Sequence, residues 1–343
     1  MQDPTGPLKG MRVVDLSQQL PGPYTSLLLA SLGAHVTKVE PPWGDAARSL
    51  DPDMFEAVNH GKVSVRLDLK SDVGRKTLHR MMTSADVFIE GFRPGVMDRL
   101  GCSAMDLHAL NPSLIYCSIS GYGQKGPLAG HPTHDLNLQA MVGAIPRFAR
   151  LDRIGVPWVD LGTATTAALA IAAYWHAGVG VHLDLAMLDL AASWAAVKPR
   201  AVSDIEPSYG TFMSRDGDVF VLALLEDDMW VRLCRALRLT SWSAKHHLEH
   251  YRARQADAEG VRSRLEQEFA LRSTGEVVAL AAEFDLPINR VLDSTEVKTE
   301  QQLRLRSASR PGARCVPIPE HLLVDVESCP AVHNHGIEDQ STR

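Results

Sequence analysis

The chain has 343 residues, 45% hydrophobic and 22% charged, with a formal net charge of -6, ordinary values for a globular protein of one large or two medium domains. There is no basic excess to suggest nucleic acid. The five cysteines (Cys102, Cys117, Cys234, Cys315, Cys329) are odd in number and lack the CxxC spacing of a structural metal site or the framework of a disulfide-rich fold, which favours a reducing compartment. Residues 1–10 are polar with two prolines, unlike a signal peptide, and the longest apolar run, 164–173, is too short and Thr-interrupted for a membrane span. A soluble cytoplasmic protein with no metal site is expected.

Met11–Leu16 is a short apolar run of strand type. Pro21-Gly22-Pro23 is expected to break the chain before a helix over Tyr24–Leu32, and the β-branched His35–Val39 reads as a second strand. A strand–helix–strand unit of about thirty residues is the size of a parallel crossover. Val63–Leu67 alternates as a strand, Ser71–Met82 is a helix capped by Ser71, and Ala85–Ile89 and Leu114–Ile119 are buried-type strands. This alternation argues for a doubly wound α/β domain. No GxGxxG follows the first strand, so a dinucleotide site fails where it would have shown itself. The strand ends carry other polar groups instead: Ser17-Gln18-Gln19, Lys38 and Glu40, Glu90 and Arg93. In open α/β sheets, ligands bind outside the carboxyl ends of the strands.

Beyond an alanine-rich helix to about Ala177, Val181–Leu185 is a candidate last strand and Met187–Ala196 a helix. The pattern then changes. Thr211–Met213, a turn at Asp216-Gly217 and Val219–Leu224 form a hairpin. Glu226-Asp227-Asp228 caps a helix through Leu237, and helical periodicity continues over His246–Phe269 and Thr274–Phe284, with Pro287-Ile288-Asn289 ending the region. The expected organisation is a large α/β domain from 1–198 plus 296–343, a linker at 199–204, and a smaller α+β domain at 205–295. A charged helix over Thr295–Arg306 is expected to lead back to the large domain.

The most informative stretch is 130–173. Two helix starts lie in it, after His134-Asp135 and at Asp160. Asp135 and Asp160 read either as ordinary helix caps or as two carboxylates gathered with His134 at two helix N-termini, where free N–H groups hold developing negative charge.

Taken together, PLKGMRVVDLS with PGPY, LGAHVTKVEPPWGD, NHGKVSVRLDLKS, ADVFIEGFRPGVMDRLG, NPSLIYCSISGYGQKGP and GHPTHDLNLQA resemble the family III CoA-transferases and their relatives, the α-methylacyl-CoA racemases. The resemblance covers about residues 7–336. It implies an interlocked homodimer with the site between the large domain of one subunit and the small domain of the other. It implies acyl-CoA as the substrate, with no permanently bound cofactor. It places Lys38, Leu69, Lys70 and Arg93 along the path of the CoA, which agrees with the need for cations around three phosphates. Asp160 matches the aspartate that both branches use. His134-Asp135 and Glu226 match the racemase branch, where transferases carry an aromatic residue and a Gln or Asn-type pattern. Three family features differ: Asn-Arg-Gly-Lys is Asn59-His60-Gly61-Lys62, a basic turn is replaced by 176–181, and the loop Pro146–Pro157 is less glycine-rich than is common.

The resemblance therefore implies an α-methylacyl-CoA racemase-like enzyme. His134 and Asp160 would exchange the α-proton on opposite faces of an enolate, with Glu226 orienting His134 and favouring its protonated form. The alternative is a family III CoA-transferase in which Asp160 attacks the donor thioester and passes through an anhydride and an aspartyl-CoA thioester. A CoA-binding relative without activity is a third reading.

Overall fold

The computed structural model describes residues 6–145, 155–197, 206–293 and 295–301. They fall into two compact units that divide after Val197. In the first, six parallel strands run β1 (Arg12–Asp15), β2 (His35–Glu40), β3 (Val63–Arg66), β4 (Val87–Glu90), β5 (Ile115–Ser120) and β6 (Val181–Ala186), in sheet order β3-β2-β1-β4-β5-β6. The crossover direction reverses between β1 and β4. Such a switch point opens a crevice at the carboxyl ends of the strands.

Successive residues of a strand point to opposite faces, and both faces of this sheet are covered. On β1, Val13 packs with Leu29, Ile89, Ile115 and Ile171, whereas Val14 packs with Leu78, Phe88, Leu107 and Tyr116. Covering both faces is why the central strands β4 and β5 read as apolar runs, while β3 and β6 at the sheet edges alternate. Each such side chain contributes roughly 1.5–3 kcal/mol on full burial.

The helices of this unit are α1 (Pro21–Ser31), α2 (Ala47–Leu50), α3 (Pro52–Asn59), α4 (Asp72–Met82), α5 (Val96–Arg99), α6 (Ala104–Leu110), α7 (Asp135–Met141), α8 (Trp158–Ala177) and α9 (Met187–Val197). The proline pair expected to precede α1 lies inside its first turn. Proline has no N–H to lose there and its φ is preset for helix. Gly22 lets that turn lie against β1's end, since a Cβ at this position would sit 2.1 Å from the Ser17 side chain. Ser71 caps α4 as expected, accepting from the Gly74 amide at 3.0 Å. The helices α2, α3, α5 and α6 lie in segments where no helix was expected. The signals for two of them were local caps: Asp51 accepts from Met54 N, and Ser103 with Asp106 forms a capping box.

The second unit contains β7 (Tyr209–Met213), β8 (Val219–Ala223) and β9 (Ile288–Arg290), an antiparallel sheet in the order β7-β8-β9. With them go α10 (Asp227–Ala236), α11 (Thr240–Lys245), α12 (Tyr251–Ala256), α13 (Ala258–Ala270) and α14 (Thr274–Glu283). Phe212, Phe220, Leu222, Trp230, Leu265 and Phe269 fill its core. Ile288-Asn289, expected to end the region, instead forms an edge strand against β8. The helix expected over Thr295–Arg306 is a short 3-10 turn at Glu296–Lys298 where it is described. The linker at 199–204 and residues 302–343 lie outside the described residues. No helix among the described residues is long and apolar enough to cross a membrane.

Candidate active site

The crevice at the switch point is a cleft of about 500 Å³. Its walls are the chain after β1 (Ser17 to Gly22), after β4 (Gly91 to Pro94) and after β5 (Ser120, Gly121), with His131, His134 and Asp160 closing one side. A second, apolar cleft of about 340 Å³ adjoins it and shares Leu16, Gln18 and Phe92. Trp43, Leu69, Lys70 and Arg99 line this second cleft.

Asp160 is the third residue of α8 and stands part-buried in the wall of the larger cleft. No described residue donates a hydrogen bond to its carboxylate. Burial, helped by the nearby Asp135 charge, raises it to about 7. Such a carboxyl has little solvation of its charged form and gives up little to attack an electrophile.

Asp135 has a different task. It is buried at the first residue of α7, and its Oδ1 accepts from the Val159 amide at 2.8 Å and the Asp160 amide at 3.1 Å, while Oδ2 accepts from Gln139. Asp135 thus caps α8 from another helix. The two carboxylates that the sequence read alike therefore differ: Asp135 is a helix cap, though of α8, and Asp160 is not. Asp160 does not cap α8, which begins two residues earlier after Pro157. The α8 amides expected to be free for a developing oxyanion are already bound by Asp135. His134 is exposed at the α7 N-cap, its own amide donating to Asn137 Oδ1 at 3.0 Å, and its ring lines the cleft.

Lys38 is a second correction. The expectation placed it after a strand, available to a phosphate. It lies within β2 and is 1% exposed, with its ammonium 2.9 Å from Asp45 and donating to the Ser17 carbonyl at 3.0 Å. Lys62 likewise donates to the Pro23 carbonyl at 2.7 Å and lies 3.6 Å from Asp15. Asp15 accepts from the Ser17 amide at 2.9 Å and from the hydroxyls of Ser17 and Ser26. Burial opposes ionisation of Asp15, but Lys62, Lys38 and these two hydroxyls hold it below the usual carboxylate range. These buried charges are spent on fixing the turn between β1 and α1, which forms one wall of the cleft.

Leu69 and Lys70 line the apolar cleft, as a CoA path requires. Arg93 is exposed on the larger one, and no described residue pairs with its guanidinium. Glu226 lies in the second unit, exposed at the N-cap of α10 with no hydrogen bond to its side chain among the described residues. Its neighbourhood is anchored by the fully buried Arg254, which donates to Glu206, to Asp227 and to the Leu225 carbonyl. Gln18, one of the polar strand-end groups noted in the sequence, does line both clefts, whereas sequence reasoning passed over Phe92, His131 and Trp43. Trp43 could have been found, since an indole after Pro41-Pro42 at a strand end is 75% exposed, an unusual state for so large an apolar group. No cluster of potential metal ligands occurs among the described residues.

At the switch point of this open α/β unit, a carboxyl and a guanidinium without partners among the described residues share one cleft. The CoA-transferase family III profile matches residues 8–312, and the chain belongs to that family. It is 31% identical to the acetyl-CoA:oxalate CoA-transferase of Acetobacter aceti over 335 residues, covering 89% of this chain and 85% of the relative. It is 34% identical to the succinyl-CoA:mesaconate CoA-transferase of Haloarcula hispanica over 277 residues, 70% of each. The crystal structure of Rv3272 from Mycobacterium tuberculosis aligns with a TM-score of 0.81 at 28% identity, covering 89% of this chain and 88% of that one. The Acetobacter and Haloarcula relatives are both named CoA-transferases, so the racemase reading drawn from His134, Asp135 and Glu226 gives way to the transferase alternative.

Proposed function

We propose that the protein moves CoA between two carboxylic acids, with Asp160 as the nucleophile. The observation that carries this reading is the carboxyl of Asp160: part-buried in the cleft wall, free of any hydrogen bond from the described residues, and fixed on a helix capped by Asp135. Its oxygen attacks the donor thioester carbon, the C–S bond breaks, and CoA leaves as thiolate. The thiolate then attacks the Asp160 acyl carbon of the mixed anhydride, releasing the donor acid and leaving an aspartyl-CoA thioester. An acceptor carboxylate runs the two steps in reverse and regenerates Asp160. Arg93 and Lys70 would face CoA phosphates, and the apolar cleft around Trp43 and Leu69 would take the uncharged parts of the cofactor. The Acetobacter and Haloarcula relatives are named for small acids, which supports short acyl groups here.

In this reading His134 is a cleft-wall residue and no base. His134→Ala should keep acyl exchange between an acyl-CoA and a labelled free acid within a few-fold of wild type, whereas Asp160→Ala should abolish it. A wild type that shows no acyl exchange but racemises a 2-methylacyl-CoA, with that racemisation falling roughly 10²–10⁴-fold in His134→Ala, the scale of general acid–base catalysis, would return the racemase.

A further inference from the structure

Behind the wall that carries Arg93 lies a small polar chamber of about 60 Å³ that the chemistry above does not use. Glu90, Ser118 and His182 line it, as do Gln124 and Arg93. Glu90 and Ser118 are register partners on β4 and β5, and both are nearly fully buried, 3% and 2% exposed. One Glu90 oxygen accepts from the Phe92 amide at 2.8 Å, and the Ser118 hydroxyl reaches the same carboxyl. On its other side Ser118 Oγ lies 2.9 Å from His182 Nε2 on β6. The His182 ring stacks edge-on against Tyr116 at 5.0 Å. A three-link chain thus crosses β6, β5 and β4 and ends on the backbone of the cleft wall.

We propose that Glu90 is a positioning residue for acyl-CoA: through the Phe92 amide, braced by Ser118 and His182, it sets the turn 91–94 that presents Arg93 to the cofactor. This rests on the reading of Arg93 as a CoA anchor. The argument is one of economy. A buried carboxyl without a cation is costly, and no cation among the described residues pairs with Glu90. Burial raises it, the hydrogen bonds from Ser118 and the Phe92 amide pull it back, and the carboxylates that face it, Asp184 from β6 and Asp98 from α5, add to the rise. Burial lowers His182, with His108 from α6 adding to the lowering and Asp184 opposing it. The Ser118 hydroxyl sits between the Glu90 carboxyl and His182 Nε2 and links the two across β5. A sheet interior needs none of this for packing, where an apolar residue would serve. The group at the end of the chain is the amide next to Arg93. Gln124 Nε2, buried and without a protein partner, leaves room for water to complete the chamber.

The test is calorimetric binding of free CoA to wild type, Glu90→Ala, Glu90→Gln, Ser118→Ala, Arg93→Ala and the Glu90→Ala/Arg93→Ala double variant, each checked for native near-ultraviolet dichroism. Glu90→Ala should weaken CoA binding about ten-fold or more, as Arg93→Ala does, the scale of a hydrogen bond to a charged group. The double variant should bind no worse than Arg93→Ala alone, because the two act through one contact. Glu90→Gln, which keeps an acceptor for Phe92 and a donor for Ser118, should restore most of the affinity, and Ser118→Ala should lose a few-fold. Unchanged affinity in folded Glu90→Ala, or losses that simply add, would overturn the proposal. If Glu90→Ala does not fold, unchanged affinity in Ser118→Ala overturns it equally. CoA binding is indifferent to the reaction that follows. Coupling without an Asp160 adduct would therefore sink the transferase reading and leave this one standing; the reverse result would do the opposite.

Discussion

The most exposed claim at the scale of single residues is the raised carboxyl of Asp160. Its acid form is favoured in the folded protein, where it titrates at about 7 instead of 3.8. The folded state therefore holds a proton that the unfolded chain has lost, and wild-type stability falls as pH rises through that window. Asp160→Asn removes this slope. Its melting temperature should exceed that of wild type, by a margin that widens from pH 5 to pH 8, while acyl exchange is lost; a functional group kept at a cost to stability behaves in this way. Wild-type exchange should fall as pH drops below about 7, since only the carboxylate attacks. Asp135→Ala removes the negative charge that helps raise Asp160, so the acid limb of its pH profile should move to lower pH. The same change leaves the Val159 and Asp160 amides unpaired, a loss of about 1–3 kcal/mol for buried donors. Thermal melts and pH–rate profiles of the two variants check both statements. A melting-temperature margin independent of pH would mean that Asp160 is an ordinary solvated carboxylate.

At the scale of elements, the parallel strands were legible in two ways: burial on both faces writes β4 and β5 as apolar runs, whereas the sheet-edge strands β3 and β6 show as alternation. The short helices were not. α5, with four residues, has no periodicity to read, and the short α3 and α6 announce themselves only through Asp51, Ser103 and Asp106. β9 hid for a related reason: three residues after a proline carry no alternation, and its strand state comes from pairing with Phe220–Leu222. The site was half legible. His134, Asp160 and Arg93 meet on one cleft as the sequence suggested. Asp135 and Lys38 could not be assigned, because their roles depend on partners far along the chain: the amides of α8 for one, Asp45 and the Ser17 carbonyl for the other. A lysine at a strand end is a phosphate ligand or a buried counter-ion according to where its ammonium finds an acceptor, and nothing in the residues around it decides that.

At the scale of the whole molecule, α8 and α9 leave Leu169, Tyr174, Trp194 and Val197 exposed. Together with the resemblance to interlocked dimers, this supports a second copy of the chain as the partner, and sedimentation velocity should find a dimer at micromolar concentration; a stable monomer would count against it. The central claim is the covalent chemistry of Asp160, and one measurement reaches it directly. Purified protein is mixed with acetyl-CoA or succinyl-CoA without an acceptor, quenched with hydroxylamine, digested, and the peptide containing Asp160 is weighed. The account predicts a hydroxamate at Asp160, formed only when an acyl-CoA is present. Recovery of unmodified Asp160 from protein that exchanges the α-proton of a 2-methylacyl-CoA with deuterium oxide would contradict it.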